Sequence, residues 1–331
     1  MDKFGKCPPL VSVVMPVHNG ERFLPAAVES VLRQTMVDFE LVCVEDGSTD
    51  ASSLMLGDFA ARDRRVRVLH TGGRGCSVAR NAGMDAAIGK YVAFIDQDDL
   101  YHPQMLELML YAAEACHVDI VEASYAKVPE SAEVESVFGI CGEVGDGCVR
   151  PRMFQVDDPF AYFIDQHERR GGGIVCPVWN RIFRRSAVAD IRFPANVQPG
   201  EDSYFSYLVF EKVRTMAVVD DVLYAFRQNN ASTSHNRLSK IVERFIAGRE
   251  LLLRFWAESA STHREALLAC ATREMAWIVK EVSKRGDADT CEKVRTMLLR
   301  LRREGVFRLR RLPISKRFKT WLFLTLSQIG R

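Results

Sequence analysis

Three carboxylates crowd into one short stretch, GKYVAFIDQDDLYHP: Asp96, Asp98 and Asp99 follow directly on the apolar run Tyr91 to Ile95. Like charges this close repel, and burying them at the end of a core strand is costly. A turn at Gln97 could converge Asp96 and Asp98 on one divalent cation, Mn2+ or Mg2+, which takes hard oxygen ligands and often shares them with substrate phosphates. The plainer reading is a turn leading into a helix over 104–116, with Asp99 or His102 as its cap. His235, in NNASTSHNR, is a candidate third ligand, although a lone histidine more often packs or faces solvent.

A second acidic pair, Glu201 and Asp202, stands in PGEDSYF. Acids in the first turn of a helix complement its dipole. The same placement would keep a carboxylate ionised and ready to act as a general base. The glycine loop in HTGGRGCSVARNAG suggests phosphate binding but fails the dinucleotide fingerprint, because Val78 occupies the next required small position. Arg80 behind it is either a phosphate contact or an ordinary ion-pair partner. Trp179 is either a sugar-stacking platform or a core ring.

The elements that must carry these groups alternate strand and helix. Apolar runs at 11–17, 39–44, 66–69 and 91–95 are separated by helical patterns over 21–33, 50–61 and CSVARNAGMDAA. Such alternation predicts a mostly parallel α/β sheet with helices on both faces. Ligands of open α/β sheets bind outside the carboxyl ends of the strands, and Pro16, Asp46 and Asp96 stand at three such ends.

Beyond residue 104 the pattern loosens. A strand is expected over 119–124, a loop or hairpin over 129–148, a helix from Glu201 and a strand within 213–226. Amphipathic helix is expected from Lys240 on and over 264–282.

The 331 residues are 47% hydrophobic, which suits a sizeable core. The net charge of +2 gives no reason to expect a nucleic acid partner. Charge is uneven, however: from Lys293 to Arg331 there are twelve Lys/Arg against one acid, Glu304. Lys316, Arg317 and Lys319 flank Phe318, Trp321, Leu322 and Phe323, a pattern fit either for an anionic membrane surface or for packing on the chain's own domain. The nine cysteines show no CxxC pair and no zinc spacing, which points to reduced thiols. Cys43 and Cys176 read as small core residues. No run approaches the roughly 20 apolar residues of a membrane span, and no N-terminal stretch has the layout of a signal peptide.

Taken in order, VSVVMPVHNGERFLPAAVESVLRQT, FELVCVEDGSTDAS, ARNAGMDAAIGKYVAFIDQDDLYHP, VWNRIFRRS and GEDSYF resemble the family-2 inverting glycosyltransferases of GT-A fold. The resemblance spans about residues 10–235 and is looser beyond 103. It implies nucleotide recognition by Asp46, with Pro16, Val17, His18, Asn19 and Glu21 lining the nucleoside pocket. It also implies a donor contact by Arg80, Asp96 and Gln97, a metal on Asp98 with Asp96, and a base at Asp202 with Glu201 beside it. Trp179 and Asn180 would shape the acceptor pocket. His18 stands where the family often has an aromatic, and Arg181 where it often has Lys.

The expected organisation is a nucleotide-sugar half over 1–125, an acceptor half over 126–236, and a helical C-terminal extension over 237–331 whose basic tail, 306–331, contacts anionic membrane. The expected activity is metal-dependent inverting transfer from a nucleoside-diphosphate sugar, most simply a UDP-sugar, to a glycan or lipid-linked acceptor in surface polysaccharide synthesis. Its expected place is the cytoplasm, at the inner face of the plasma membrane. A nucleotide-sugar-binding scaffold and a nucleotidyltransferase are the competing readings.

Overall fold

A computed structural model describes residues 8–138, 151–169, 177–195, 201–229 and 288–305, with scattered positions between 264 and 320. The strand–helix alternation is realised as β1 (Val11–Val17), α1 (Leu24–Leu32), β2 (Phe39–Glu45), α2 (Ser52–Arg62), β3 (Val66–His70), α3 (Cys76–Ala86) and β4 (Tyr91–Phe94). After these come β5 (Leu100–Tyr101), α4 (Met105–Ala115), β6 (Ile120–Pro129), α5 (Val134–Phe138), β7 (Met153–Val156), α6 (Pro159–Arg169), β8 (Arg181–Arg184), α7 (Glu201–Lys212), β9 (Met216–Gln228) and α8 (Ala288–Arg303).

The nine strands form one sheet in the order β3-β2-β1-β4-β8-β6-β9-β5, with β7 also on β9. The parallel part is β3-β2-β1-β4. Beyond β4 the sheet is mixed: β8 runs antiparallel to both β4 and β6, and β9 is parallel to β6 but antiparallel to β5 and β7. The sheet is mostly parallel, as the sequence leads one to expect: the parallel ladders are β3-β2-β1-β4 and the long β6–β9 pair, and the antiparallel ladders are short. Every residue of β1 and β2 is buried, as expected of strands covered on both faces. Burial pushes the Cys43 thiol up to about 12, so it is an inert core group. Cys176 lies outside the described residues.

Two side chains settle details left open by the sequence. Neither Asp99 nor His102 is the cap of α4: the N-cap is Gln104, with no side-chain cap bond, and its N–H donates to His102 Nδ1 at 3.0 Å in the turn before the helix, while Asp99 is engaged elsewhere. Arg181 is buried, and its Nε donates to Glu122 Oε2 at 2.6 Å and its Nη1 to the Pro177 carbonyl at 2.7 Å. A guanidinium reaches both partners at once, which a single ammonium on a shorter fork would not.

The chain divides into two compact units, one of residues 1–159, 177–195 and 208–232, the other of 160–176, 196–207 and 233–331. Within the first unit, β8 and β9 return to pair with β4 and β6. Within the second unit, Phe160 packs edge-on against Tyr207 at 5.8 Å. The apolar side chains of α8, Val294, Met297, Leu298 and Leu301, are buried, while Lys293, Arg300, Arg302 and Arg303 are exposed. The expected helices from Lys240 and over 264–282 lie largely outside the described residues, as does most of the 306–331 tail. No helix among the described residues is long and apolar enough to cross a membrane.

Helix α3 lies so close to β1 that a Cβ at Gly83 would stand 2.3 Å from Val14 Cγ1. Gly83→Ala gains at most about 1 kcal/mol of helix propensity, whereas overpacking costs about 1–3 kcal/mol. The variant should therefore unfold at lower urea concentration than the native chain. An equal or higher midpoint would show that the α3–β1 packing relaxes freely.

Candidate active site

Within the first unit, the loops at the carboxyl ends of β1, β2, β3 and β4 are stitched to one another. Asn19 adopts φ +50°, a region asparagine tolerates better than most residues, and its Oδ1 accepts the Thr49 N–H at 2.8 Å. Around it, the Asn19 N–H donates to Ser48 Oγ at 3.1 Å and the Gly20 N–H to Ser52 Oγ at 2.8 Å. Glu21 is reciprocal: its N–H donates to Asp50 Oδ2 and its Oε2 accepts the Ala51 N–H, each at 3.0 Å. His18 Nδ1 meets the Asp46 carbonyl at 2.8 Å. Pro16 and Val17 are buried at the end of β1.

Asp46 organises the glycine loop. Its Oδ1 accepts the Thr71 hydroxyl and the N–H groups of Gly73 and Arg74, and its Oδ2 accepts the Gly75 N–H, at 2.6–2.9 Å. Three of these bonds fall on Oδ1 and one on Oδ2, so most of the carboxylate's roughly four acceptor sites serve its own loop. Burial alone would raise its pKa, but the Thr71 hydroxyl and the three backbone donors outweigh that and hold it below the ordinary value. Gly47, at φ +73°, allows the two loops to touch, since a Cβ there would stand 2.8 Å from the Gly73 nitrogen.

The β4 loop is joined to the β1 loop by Gln97. Its Oε1 accepts the His18 N–H at 2.8 Å and its Nε2 donates to the His18 carbonyl at 3.0 Å, as a neighbouring strand would. Both ends of the expected donor contact are thus used in building the frame. Arg80 is buried and donates to Asp96 Oδ1 at 2.8 Å, with its guanidinium 5.4 Å from the Phe193 ring centroid. Arg80 therefore reaches the acid turn directly.

The three acids separate sharply. Asp96 is held by Arg80. Asp99 is sealed, and burial, then the charges of Asp98 and Asp96, pushes its pKa well above the ordinary value. Burial, then the neighbouring Asp96 charge, raises the Asp98 carboxyl to about 6, against the lowering effects of the Arg227 charge and an Asn229 side-chain hydrogen bond. No group of three His, Cys, Asp or Glu side chains among the described residues is poised to hold a metal ion. What the turn does present is Asp98 with Asp96, a hard-oxygen pair short of positive charge. That set suits a cation completed by phosphate oxygens rather than one caged by protein.

Trp179 corrects the expectation of an open platform. Its ring stacks on Tyr224 at 4.2 Å and on Phe226 at 5.5 Å, and it is buried with Asn180. Asn180 Nδ2 donates to the Ala123 carbonyl at 2.7 Å. Glu201 and Asp202 stand in the first turn of α7, in the second unit. His235 lies outside the described residues. Sequence reading missed Tyr224 of β9 and Asn229 just past its end, which reach the acid turn. Neither carries a local signal, since Tyr224 is 125 residues from the Asp99 it binds.

Strand-end loops gathered at the carboxyl edge of a parallel sheet, with a buried acid turn among them, are the marks of a nucleotide-binding α/β enzyme. The family model for "Glycosyl transferase family 2" matches residues 12–192. The chain belongs to that family. It is 32% identical over 256 residues to the "Putative glycosyltransferase EpsH" of Bacillus subtilis, covering 76% of this chain and 70% of EpsH. It is also 32% identical over 223 residues to the "Uncharacterized glycosyltransferase EpsJ" of the same organism, covering 67% of this chain but only 62% of EpsJ. Among solved structures, a fragment of S. aureus TarS in complex with UDP-GlcNAc superposes with a TM-score of 0.68 at 18% identity, covering 97% of this chain and 92% of the fragment. At that identity the likeness shows the fold, which is GT-A.

Because the folded chain binds the Asp98 proton more tightly than the unfolded chain does, this group favours folding most below about pH 4, and that contribution is lost as the pH rises to about 6. At pH 7 its ionisation costs on the order of 3 kcal/mol. Asp98→Asn should therefore be more resistant to urea than the native chain at pH 7, with the difference vanishing near pH 4. Equal stability at pH 7 would mean that the carboxylate is already compensated.

Proposed function

We propose that this chain is a metal-dependent inverting glycosyltransferase that moves a sugar from a nucleoside-diphosphate donor, a UDP-sugar, to a glycan or lipid-linked acceptor in surface polysaccharide synthesis. The observation that carries the reading is the acid turn at the end of β4, where half-buried Asp98 has too little positive charge near it, beside the interlocked loops of β1–β3. The TarS fragment in complex with UDP-GlcNAc supports a nucleotide sugar as donor, and a structurally similar mannosyltransferase from Pyrobaculum calidifontis, in complex with GDP-Man and Mn2+, supports a divalent metal as cofactor.

The roles then follow from the chemistry. A divalent cation, Mn2+ or Mg2+, on Asp98 with Asp96 would stabilise the charge of the leaving diphosphate as a Lewis acid. Arg80 holds Asp96 in place by their ion pair. The loops of β1 and β2 form the nucleoside side of the pocket, with His18, Asn19 and Glu21 fixed by the bonds described above. Asp202 takes the proton of the acceptor hydroxyl, because an alcohol is a poor nucleophile at neutral pH. Its place on the first turn of α7 suits a carboxylate that must work ionised. One base and no covalent intermediate imply inversion at the anomeric carbon. The exposed basic residues of α8 extend the charge of the C-terminal tail and favour contact with anionic membrane at the cytoplasmic face.

Asp202→Asn should lower transfer by about 10²- to 10⁴-fold while leaving UDP affinity in calorimetry within a factor of about three. Transfer at the native rate would overturn the base assignment. Across a panel of nucleotide sugars the native chain should release nucleoside diphosphate. Release of pyrophosphate would instead establish nucleotidyl transfer, and no release with any donor would mark a binding scaffold.

A further inference from the structure

Asp99 differs from the two acids before it. It is fully buried, and both of its oxygens are engaged by β9: Oδ2 accepts the Tyr224 hydroxyl at 2.6 Å and Oδ1 accepts the Arg227 backbone N–H at 2.8 Å. The Tyr224 oxygen also faces the Asp96 N–H at 3.4 Å. The Asp99 N–H donates to the Asp96 carbonyl at 3.1 Å and closes the turn. A single hydroxyl thus touches the first and last acids of the turn, with Asp98 between them.

Tyr224 is itself immobilised. It is fully buried, stacked on Trp179 at 4.2 Å and edge-on to Tyr101 at 5.7 Å. Tyr101 pairs with Tyr224 in the β5–β9 ladder, one residue past Leu100. The turn therefore has rigid backbone on both sides. In a site without water a hydrogen bond to a carboxylate is strong and directional. A cation ligand must present a lone pair to the ion, and Asp99 has both oxygens committed to β9.

We propose that Asp99 and Tyr224 are positioning residues for the cation site formed by Asp98, an inference that rests on the metal-dependent reading above. The hydroxyl–carboxylate pair clamps the 96–99 turn to β9 and sets the direction in which Asp98 presents its oxygens. The third acid is a tether, not a ligand. Its sealed position keeps its own charge from competing for the ion, while its bond to Tyr224 resists the mutual repulsion that would splay the turn.

Tyr224→Phe removes only the hydroxyl and leaves the ring stacks. Mn2+ binding to the full chain in the presence of UDP can be followed by electron paramagnetic resonance of free Mn2+, and uridine binding by calorimetry. In Tyr224→Phe the Mn2+ dissociation constant should rise about tenfold, as for other residues that orient metal ligands, with binding still saturable and uridine affinity within twofold of native. A Mn2+ constant within twofold of native in the folded variant overturns the clamp, and so does a parallel loss of uridine and Mn2+ binding. Should Tyr224→Phe fail to fold, Asp99→Asn keeps Oδ1 for the Arg227 N–H and tests the same point. It should weaken Mn2+ binding saturably, whereas Asp98→Asn should abolish it. If Asp99→Asn abolishes saturable binding as Asp98→Asn does, Asp99 is a ligand and the proposal fails. If the native chain binds UDP with no dependence on Mn2+, the metal reading falls and the clamp falls with it; if native Mn2+ binding is intact and the variants match it, only the clamp falls.

Discussion

The repulsion among Asp96, Asp98 and Asp99 is the constraint around which this half of the molecule is arranged. Three carboxylates at the end of a buried strand would spread apart unless each were given its own partner. The structure supplies those partners from different elements. Arg80 comes from α3 for Asp96, and Tyr224 with the Arg227 backbone comes from β9 for Asp99. Asp98 is left with an Asn229 hydrogen bond and the more distant Arg227 charge, which do not offset its burial. The mixed part of the sheet has a purpose in this light. Only by returning β9 to the sheet between β6 and β5 does the chain bring Tyr224 beneath a turn that closed 125 residues earlier.

The other strand ends depend on one another in the same way. Each loop borrows its hydrogen bonds from the next: β1 from β2 through Ser48, Thr49, Asp50 and Ser52, β2 from β3 through Asp46, and β1 from β4 through Gln97. Loops carry backbone groups that a strand or helix would have satisfied internally. Here neighbouring loops satisfy them, so no loop has its shape alone. A change at Gln97 would be felt at His18 before it reached any ligand.

The alternating strands and helices of the first hundred residues were legible because both are periodic and because β1 and β2, buried on both faces, read as unbroken apolar runs. The strand-end rule also placed Pro16, Asp46 and Asp96 correctly at one edge. What spacing could not show is which polar group serves the frame and which remains open to a ligand. Asp46 and Gln97 sit where a donor would contact them, yet their side chains are taken by Thr71, the glycine loop and His18. Trp179 has the composition of a sugar platform but is stacked between core rings. These assignments turn on contacts far apart in sequence, and periodicity reports only near neighbours. The return of β8 antiparallel to β4 and β6, and of β9 parallel to β6, was illegible for the same reason, since nothing local to RIFR or to residues 216–228 names its partner strand.

Asp46 and Asp98 show how the same side chain is fully bonded in one place and left short of partners in another. Both follow the carboxyl end of a parallel strand, Asp46 buried and Asp98 half-buried. Asp46 receives four donors, and its pKa falls below the ordinary value. Asp98 has an acid on either side, and its pKa rises to about 6. Desolvation acts in the same direction on both, so the difference lies in the donors given to Asp46 and in the neighbouring Asp96 charge that acts on Asp98. Evolution toward greater stability alone would supply Asp98 with a further donor or remove its charge. A carboxylate left short of positive charge in an otherwise well-bonded frame is the kind of local cost that proteins retain at functional sites. On the proposed metal-dependent reading, that deficit is what a divalent cation, bound together with the donor's phosphates, would fill.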